Sequence, residues 1–172
     1  KDLCFNCHNE MKTQMASVKF QHKAVEQDCS NCHDPHASDF PMQTKKPPLE
    51  LCSDCHAKQK SAAMDAKYKH SIVTKDDACL NCHTAHGGDL AKLMRTEPQK
   101  VCMKCHENPQ KAPDGRQVLP VAEVLDPNMK KHGPIKDGNC SGCHDTHGSD
   151  HSRLLTKEYP ETFYQGFTIE KY

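Results

Sequence analysis

The sequence predicts a mainly irregular chain with short α-helices and almost no β-sheet, built from three repeated units around a core that its own side chains do not supply. Three observations carry this. Of 172 residues only 35% are hydrophobic and 5% aromatic, with no Trp, and the mean hydropathy is −0.87. So polar a chain buries little apolar surface and, on composition alone, leans towards disorder. The 11 Pro are scattered from Pro35 to Pro160 and interrupt any long helix. The 12 Cys, finally, recur in a fixed pattern, which makes the chain an internal repeat.

All twelve cysteines fall into six C-x-x-C pairs, each followed at once by His: Cys4/Cys7-His8, Cys29/Cys32-His33, Cys52/Cys55-His56, Cys79/Cys82-His83, Cys102/Cys105-His106 and Cys140/Cys143-His144. C-x-x-C-H is the attachment signature of c-type haem. The two thiols form thioethers with the porphyrin, and the adjacent His binds iron from one face. A disulfide scaffold does not demand His after each pair. Zinc sites draw four ligands from paired knuckles, whereas here each pair carries its own His. At this His content, six hits in six arise by chance with a probability on the order of 10⁻⁷. The expectation is six covalently bound haem c groups.

With the first motif of each unit named A and the second B, the A motifs start at Cys4, Cys52 and Cys102, a period of 48 and then 50 residues. The units are 1–48, 49–98 and 99–172. Each B motif runs on to a further His three residues later, at His36, His86 and His147, and a single His lies between A and B, at His22, His70 and His132. Unit three holds a 12-residue insertion within 108–121, with the turn pair Asp114-Gly115, read as a surface loop. It ends in an aromatic tail with Tyr159, Phe163, Tyr164, Phe167 and Tyr172. Helical periodicity is weak, and short helices are expected at 3–18, 51–68 and 99–108, each carrying an A motif.

The alternation of Leu51-Cys52…His56 with C-x-x-C-H-x-x-H followed by His36-Ala37-Ser38-Asp39, His86-Gly87-Gly88-Asp89 and His147-Gly148-Ser149-Asp150 resembles the doubled CXXCH-motif cytochromes over nearly the whole chain. The resemblance implies bis-His haems packed closely in a row, an electron-transfer role, and a place in the periplasm or at the surface of a cell respiring without oxygen. Phe20-Gln21-His22 is also similar to an element of the tetrahaem cytochrome c3 type, where such a His is the distal ligand of the haem attached next.

Six haems need six distal ligands, and the recurring His22, His36, His70, His86, His132 and His147 supply that number. His151 aligns with Phe40 and Leu90 and is expected to be a bystander. The seven Met do not recur at matched positions, so they read as packing residues. His36 follows His33 by three residues, at most about 10 Å of chain, too little to pass around a porphyrin rim. His36, His86 and His147 must therefore each serve a haem other than the adjacent one. Two assignments stay open. Either each serves the A haem of the following unit, or each serves the A haem of its own unit, which makes units self-contained; the equal count of irons and recurring His favours the second.

Lys+Arg and Asp+Glu balance at 23 each, which argues against a nucleic-acid partner. No apolar stretch is long enough for a transmembrane helix, and no signal-peptide pattern is visible, so an exported form would be a mature or cut one. With six haems the net charge falls to about −6 oxidised and about −12 reduced. The partners expected are redox proteins such as other multihaem cytochromes or an outer-membrane conduit, with a homo-oligomer or filament as an alternative. Bis-His ligation implies low potentials and closed irons, hence no enzyme, with a multihaem reductase as the runner-up.

Overall fold

The structure, a computed structural model, describes residues 1–75 and 77–160. The first cysteine of each A motif lies on α-helix and that of each B motif on a single turn of 3-10 helix. In unit one, α1 (Asp2–Phe5) and α2 (Asn9–Ser17) flank the first A motif, and β1 (Phe20–Gln21) leads to α3 (Lys23–Gln27). Unit two repeats this with α4 (Pro48–Ser53), α5 (Ala57–Met64), β2 (Tyr68–Lys69) and, after its B motif, β3 (Gly87–Gly88). Unit three opens on α6 (Pro98–His106), continues through the hairpin β4 (Gln110–Lys111) and β5 (Gln117–Val118), and closes with α7 (Gly133–Lys136) and β6 (Gly148–Ser149).

Helix starts follow local chemistry. Pro48 and Pro98 occupy the first helical positions of α4 and α6, where a missing N–H costs nothing and the fixed φ favours entry. The helices expected at 3–18 and 51–68 are each split in two at the motif His, because His8 (φ −100°, ψ 50°) and His56 (φ −104°, ψ 47°) leave helical geometry. The segment expected at 99–108 is one helix, α6. The insertion, expected as a surface loop, forms a hairpin, with Gly115 in the left-handed region at its turn (φ 86°).

Of the three sheets among the described residues, two join different units. β1 pairs antiparallel with β3 and β2 with β6, so unit one grips unit two and unit two grips unit three in the same way. The approach is close: a Cβ on Gly87 would lie 2.8 Å from the Phe20 carbonyl oxygen, and one on Gly148 2.1 Å from that of Ala62. Only glycine fits there.

Among the described residues the buried hydrophobic side chains are Met15, Ala63, Val73, Ala78 and Leu155, and no large side chain is fully buried. Three two-residue strand pairs and a few short helices cannot hold a fold on so small a core. Packing is instead concentrated where the motifs meet.

Candidate haem-binding site

Each motif is wound into one turn. The His N–H donates to the carbonyl of the first Cys at 2.9 Å in His8 and His56, 3.1 Å in His33, and 3.0 Å in His83 and His144, while Cys102–His106 lies within α6. Positions i, i+3 and i+4 of a turn share a face, so both thiols and the imidazole are presented together. None of the twelve cysteines is in a disulfide. No three or more His, Cys, Asp or Glu side chains among the described residues converge as a metal-ion cluster.

The sulfurs form a row. Within each unit the first cysteines of the A and B motifs lie close enough to influence each other: Cys4 and Cys29, Cys52 and Cys79, Cys102 and Cys140. Between units the second cysteines come within electrostatic reach, Cys32 of Cys55 and Cys82 of Cys105. The six motifs are therefore ordered in space as they are in the sequence. Cys7 and Cys143 are the second cysteines of the two outermost motifs, and the structure does not bring them into this alternation. Cys7 is exposed and Cys143 half-buried.

Every B motif is held by a clamp nine residues downstream of its His. The Nδ1 atoms of His33, His83 and His144 lie 2.9 Å from the carbonyl oxygens of Met42, Lys92 and Arg153 respectively. Those three residues sit at φ 57–58° and are followed by a second left-handed residue, Gln43, Leu93 or Leu154. Left-handed backbone costs a side-chain-bearing residue about 1 kcal/mol or more, and here it turns a carbonyl onto the imidazole. The same strap returns a second bond to each motif. The carbonyls of Cys32, Cys82 and Cys143 accept from the N–H groups of Lys45, Arg95 and Thr156, each at 2.9 Å. Occupying Nδ1 fixes the tautomer and leaves Nε2 as the ligating atom.

Four pairs of imidazoles face one another. His22 and His56 have ring centroids 6.0 Å apart with planes at 19°, His33 and His86 6.0 Å and 27°, His70 and His106 6.1 Å and 29°, and His83 and His147 6.4 Å and 5°. Ordinary ring contacts also fall in this distance range. What a packing contact does not explain is that every pair joins one motif His to one recurring non-motif His, in a register that repeats from one unit to the next. Two metal–imidazole bonds of about 2 Å each, plus the half-widths of the rings, give a separation of roughly 6 Å. The residues thus fit an iron held between two His, with the motif cysteines beside it.

A family model for the doubled CXXCH motif matches three times, over residues 22–61, 70–111 and 132–162. The chain belongs to this family. No curated protein matches the chain. Doubled-CXXCH proteins are multihaem c-type cytochromes, which bind haem c covalently and transfer electrons. Each matched stretch of this cytochrome begins at a single His, and the first two run on through the next A motif. Each of those two stretches thus contains a complete ring pair, His22 with His56 or His70 with His106.

The pairing corrects three expectations about this cytochrome. His22 faces His56, not the next motif His, His33, as the likeness to cytochrome c3 implied. His86 and His147 face the B-motif His of the preceding unit, and neither faces the A-motif His of the following unit or of its own. Units are therefore not self-contained, and each junction is crossed by two ring pairs running in opposite directions. The reason is the strand pairing: β3 and β6 follow directly on His86 and His147, and their docking on β1 and β2 carries those rings back to the earlier unit. The remaining site residues, His8, His36, His132 and His144, are in none of the four pairs and are exposed. His144 nonetheless has its clamp to the Arg153 carbonyl in place. His151 is in none of the pairs either.

Burial holds His86, His106 and His147 below the ordinary imidazole pKa, opposed at His147 by the Asp145 carboxylate. A neutral ring keeps the lone pair that ligation needs. In the dock, Asp89 accepts from the Lys19 N–H and Asp150 from the Lys67 N–H, both at 3.0 Å. Met42, Lys92 and Arg153, whose carbonyls hold the motif imidazoles, were not singled out by motif spacing. Only Asp39, Asp89 and Asp150 left a signal, as a recurrent residue three positions after a ligand candidate. Phe163, Tyr164, Phe167 and Tyr172 of the expected aromatic tail lie outside the described residues.

Proposed function

We propose that this chain is an electron conduit carrying six haem c groups, attached at Cys4 and Cys7, Cys29 and Cys32, Cys52 and Cys55, Cys79 and Cys82, Cys102 and Cys105, and Cys140 and Cys143. Proximal ligation falls to His8, His33, His56, His83, His106 and His144. Distal ligation falls to His22 opposite His56, His86 opposite His33, His70 opposite His106 and His147 opposite His83, with His36 and His132 as the other two donors. When bound, each haem supplies an iron that takes up and gives off one electron. The four facing ring pairs are the observation that carries this proposal.

The chain's own part is positional. The clamp carbonyls of Met42, Lys92 and Arg153 hold three proximal rings, and the strand docks bring distal rings from neighbouring units. Because the sulfur row follows the sequence, the electron path runs in chain order from the Cys4 motif to the Cys140 motif. His on both faces, without the Met that raises potential, suits low-potential anaerobic respiration and leaves no open iron for substrate within the four pairs. The compartment is the periplasm or cell exterior, and the partners are other multihaem cytochromes or an outer-membrane conduit.

Intact mass of the denatured protein tests this. Thioethers survive unfolding, so the mass should exceed that of the polypeptide by six haems. An unmodified mass, or fewer than five haems, would overturn it.

A further inference from the structure

Of the five histidines outside the ring pairs, His8, His36, His132 and His144 occupy repeat positions that are paired at the internal junctions, and His151 does not. At an internal junction, the single His of one unit faces the A-motif His of the next, and the post-B His of the next faces the B-motif His of the first: His22 with His56 and His86 with His33, then His70 with His106 and His147 with His83. Advancing the register by one unit calls for His132 against the A-motif His of a following unit, and a post-B His against His144. Unit one carries those complements as His8 and His36. The His36 side chain is 94% exposed, against 40% for its counterpart His147.

We propose that a second copy of this chain docks head to tail, so that His132 of one copy faces His8 of the next and His36 of the next faces His144 of the first. This rests on the haem reading above. The backbone of the dock is present in both halves. At the internal junctions, the His22 N–H donates to the His86 carbonyl at 3.0 Å, and His70 Nδ1 lies 2.8 Å from the Thr146 carbonyl oxygen. The corresponding acceptors in unit one are the carbonyls of His36 and Pro35. Residues 130–131 stand where β1 and β2 stand, residues 37–38 where β3 and β6 stand, and Asp39 is placed to accept from the Met129 N–H as Asp89 does from Lys19.

Exposed apolar surface is concentrated on the same two halves. Leu3 is 83% exposed and Met42 85%, with Phe40 at 37%, on the side of His8 and His36. Leu119, Val121, Val124 and Met129 are exposed on the segment leading into His132. The residues matched to Leu3 in the other units, Leu51 and Val101, are half-buried. Apolar side chains uncovered on both halves fit a surface that closes on its complement. One residue departs from the internal pattern: Ala37 stands where Gly87 and Gly148 stand, so this junction sits wider than those inside the chain. The two halves differ from each other, making the contact heterologous, and a heterologous contact that does not close on itself builds an open filament.

The test is sedimentation of the haem-loaded chain over a dilution series, with the high-spin fraction read by electron paramagnetic resonance on the same samples. At low concentration two of the six irons should be high-spin and bind carbon monoxide when reduced. Both should become low-spin together as larger species form. His36→Ala and His132→Ala should each weaken association at least tenfold, whereas an equimolar mixture of the two should form dimers and stop there, because only one intact junction remains. Ala37→Gly should shift association to lower concentration. A chain that stays monomeric at all concentrations, or His36→Ala that associates as the parent does, overturns the proposal. Six haems by mass in a persistent monomer would sink only the docking, whereas a mass without haem would sink the functional reading beneath it.

Discussion

His22 and His36 have the same side chain, each recurs once per unit, and only the folded chain tells them apart. One ring faces His56 and the other stands in solvent. Substitution should expose the difference. His86→Ala should convert the haem at His33 to a high-spin, carbon-monoxide-reactive form, and His147→Ala should do so at His83. His151→Ala should leave the spectrum unchanged. Electron paramagnetic resonance on the purified variants decides it, and a new high-spin signal in His151→Ala would overturn the pairing of the last unit. The clamp residues make a second prediction at this scale. Met42 holds φ 58° with an exposed side chain, and a β-branched residue tolerates that region least. Met42→Val should therefore destabilise by about 1 kcal/mol and loosen the bond to His33 Nδ1. Met42→Gly should cost nothing, as read by denaturant midpoints. The six C-x-x-C-H motifs were legible as motifs because thioether chemistry would dictate residue type at fixed spacing. The clamp was not, because a backbone carbonyl serves equally well under Met, Lys or Arg.

At the scale of elements, helix content was legible and helix continuity was not. Pro48 and Pro98 mark helix starts in the sequence, but nothing in Cys7-His8 or Cys55-His56 announces that the chain must bend there and continue as a second helix. The strands were illegible for a related reason: two residues have no periodicity to detect, and β3 is Gly-Gly, a poor strand former. Its identity comes from the close approach to Phe20. The distal assignment failed at the same place, since reach arguments bound which haem a His cannot serve but do not say which strand will dock. Gly148→Ala tests the dock. With its Cβ destined for a position 2.1 Å from the Ala62 oxygen, it should push β6 off β2 and cost about 1–3 kcal/mol. A high-spin signal from the haem at His83 should accompany the loss, because His147 moves with β6.

For the molecule as a whole, the small buried set of Met15, Ala63, Val73, Ala78 and Leu155 sets the dependence on cofactor. A cofactor that supplies both burial and cross-links carries the folding free energy, as metal does in small zinc domains. A variant with all twelve cysteines replaced by Ser should be largely unfolded, with weak far-ultraviolet circular dichroism and no cooperative melt. A sharp transition in that variant would contradict the reading. Polarity pointed to so small a core from the sequence. The crossing of units did not follow from it or from the repeat period, because a repeat states what recurs and not which copies touch.

The backward reach of His86 and His147 also imposes an order in time. A chain threaded across a membrane from its N-terminus presents His33 well before His86 has emerged, and His83 well before His147. On the proposed haem reading, each B site would wait, its iron accessible to small molecules, until the succeeding unit arrived, whereas His56 would find His22 already delivered. The array would then close as a zipper, each newly exported unit sealing the one ahead of it, and a stalled export intermediate would carry its vulnerable iron at the trailing end.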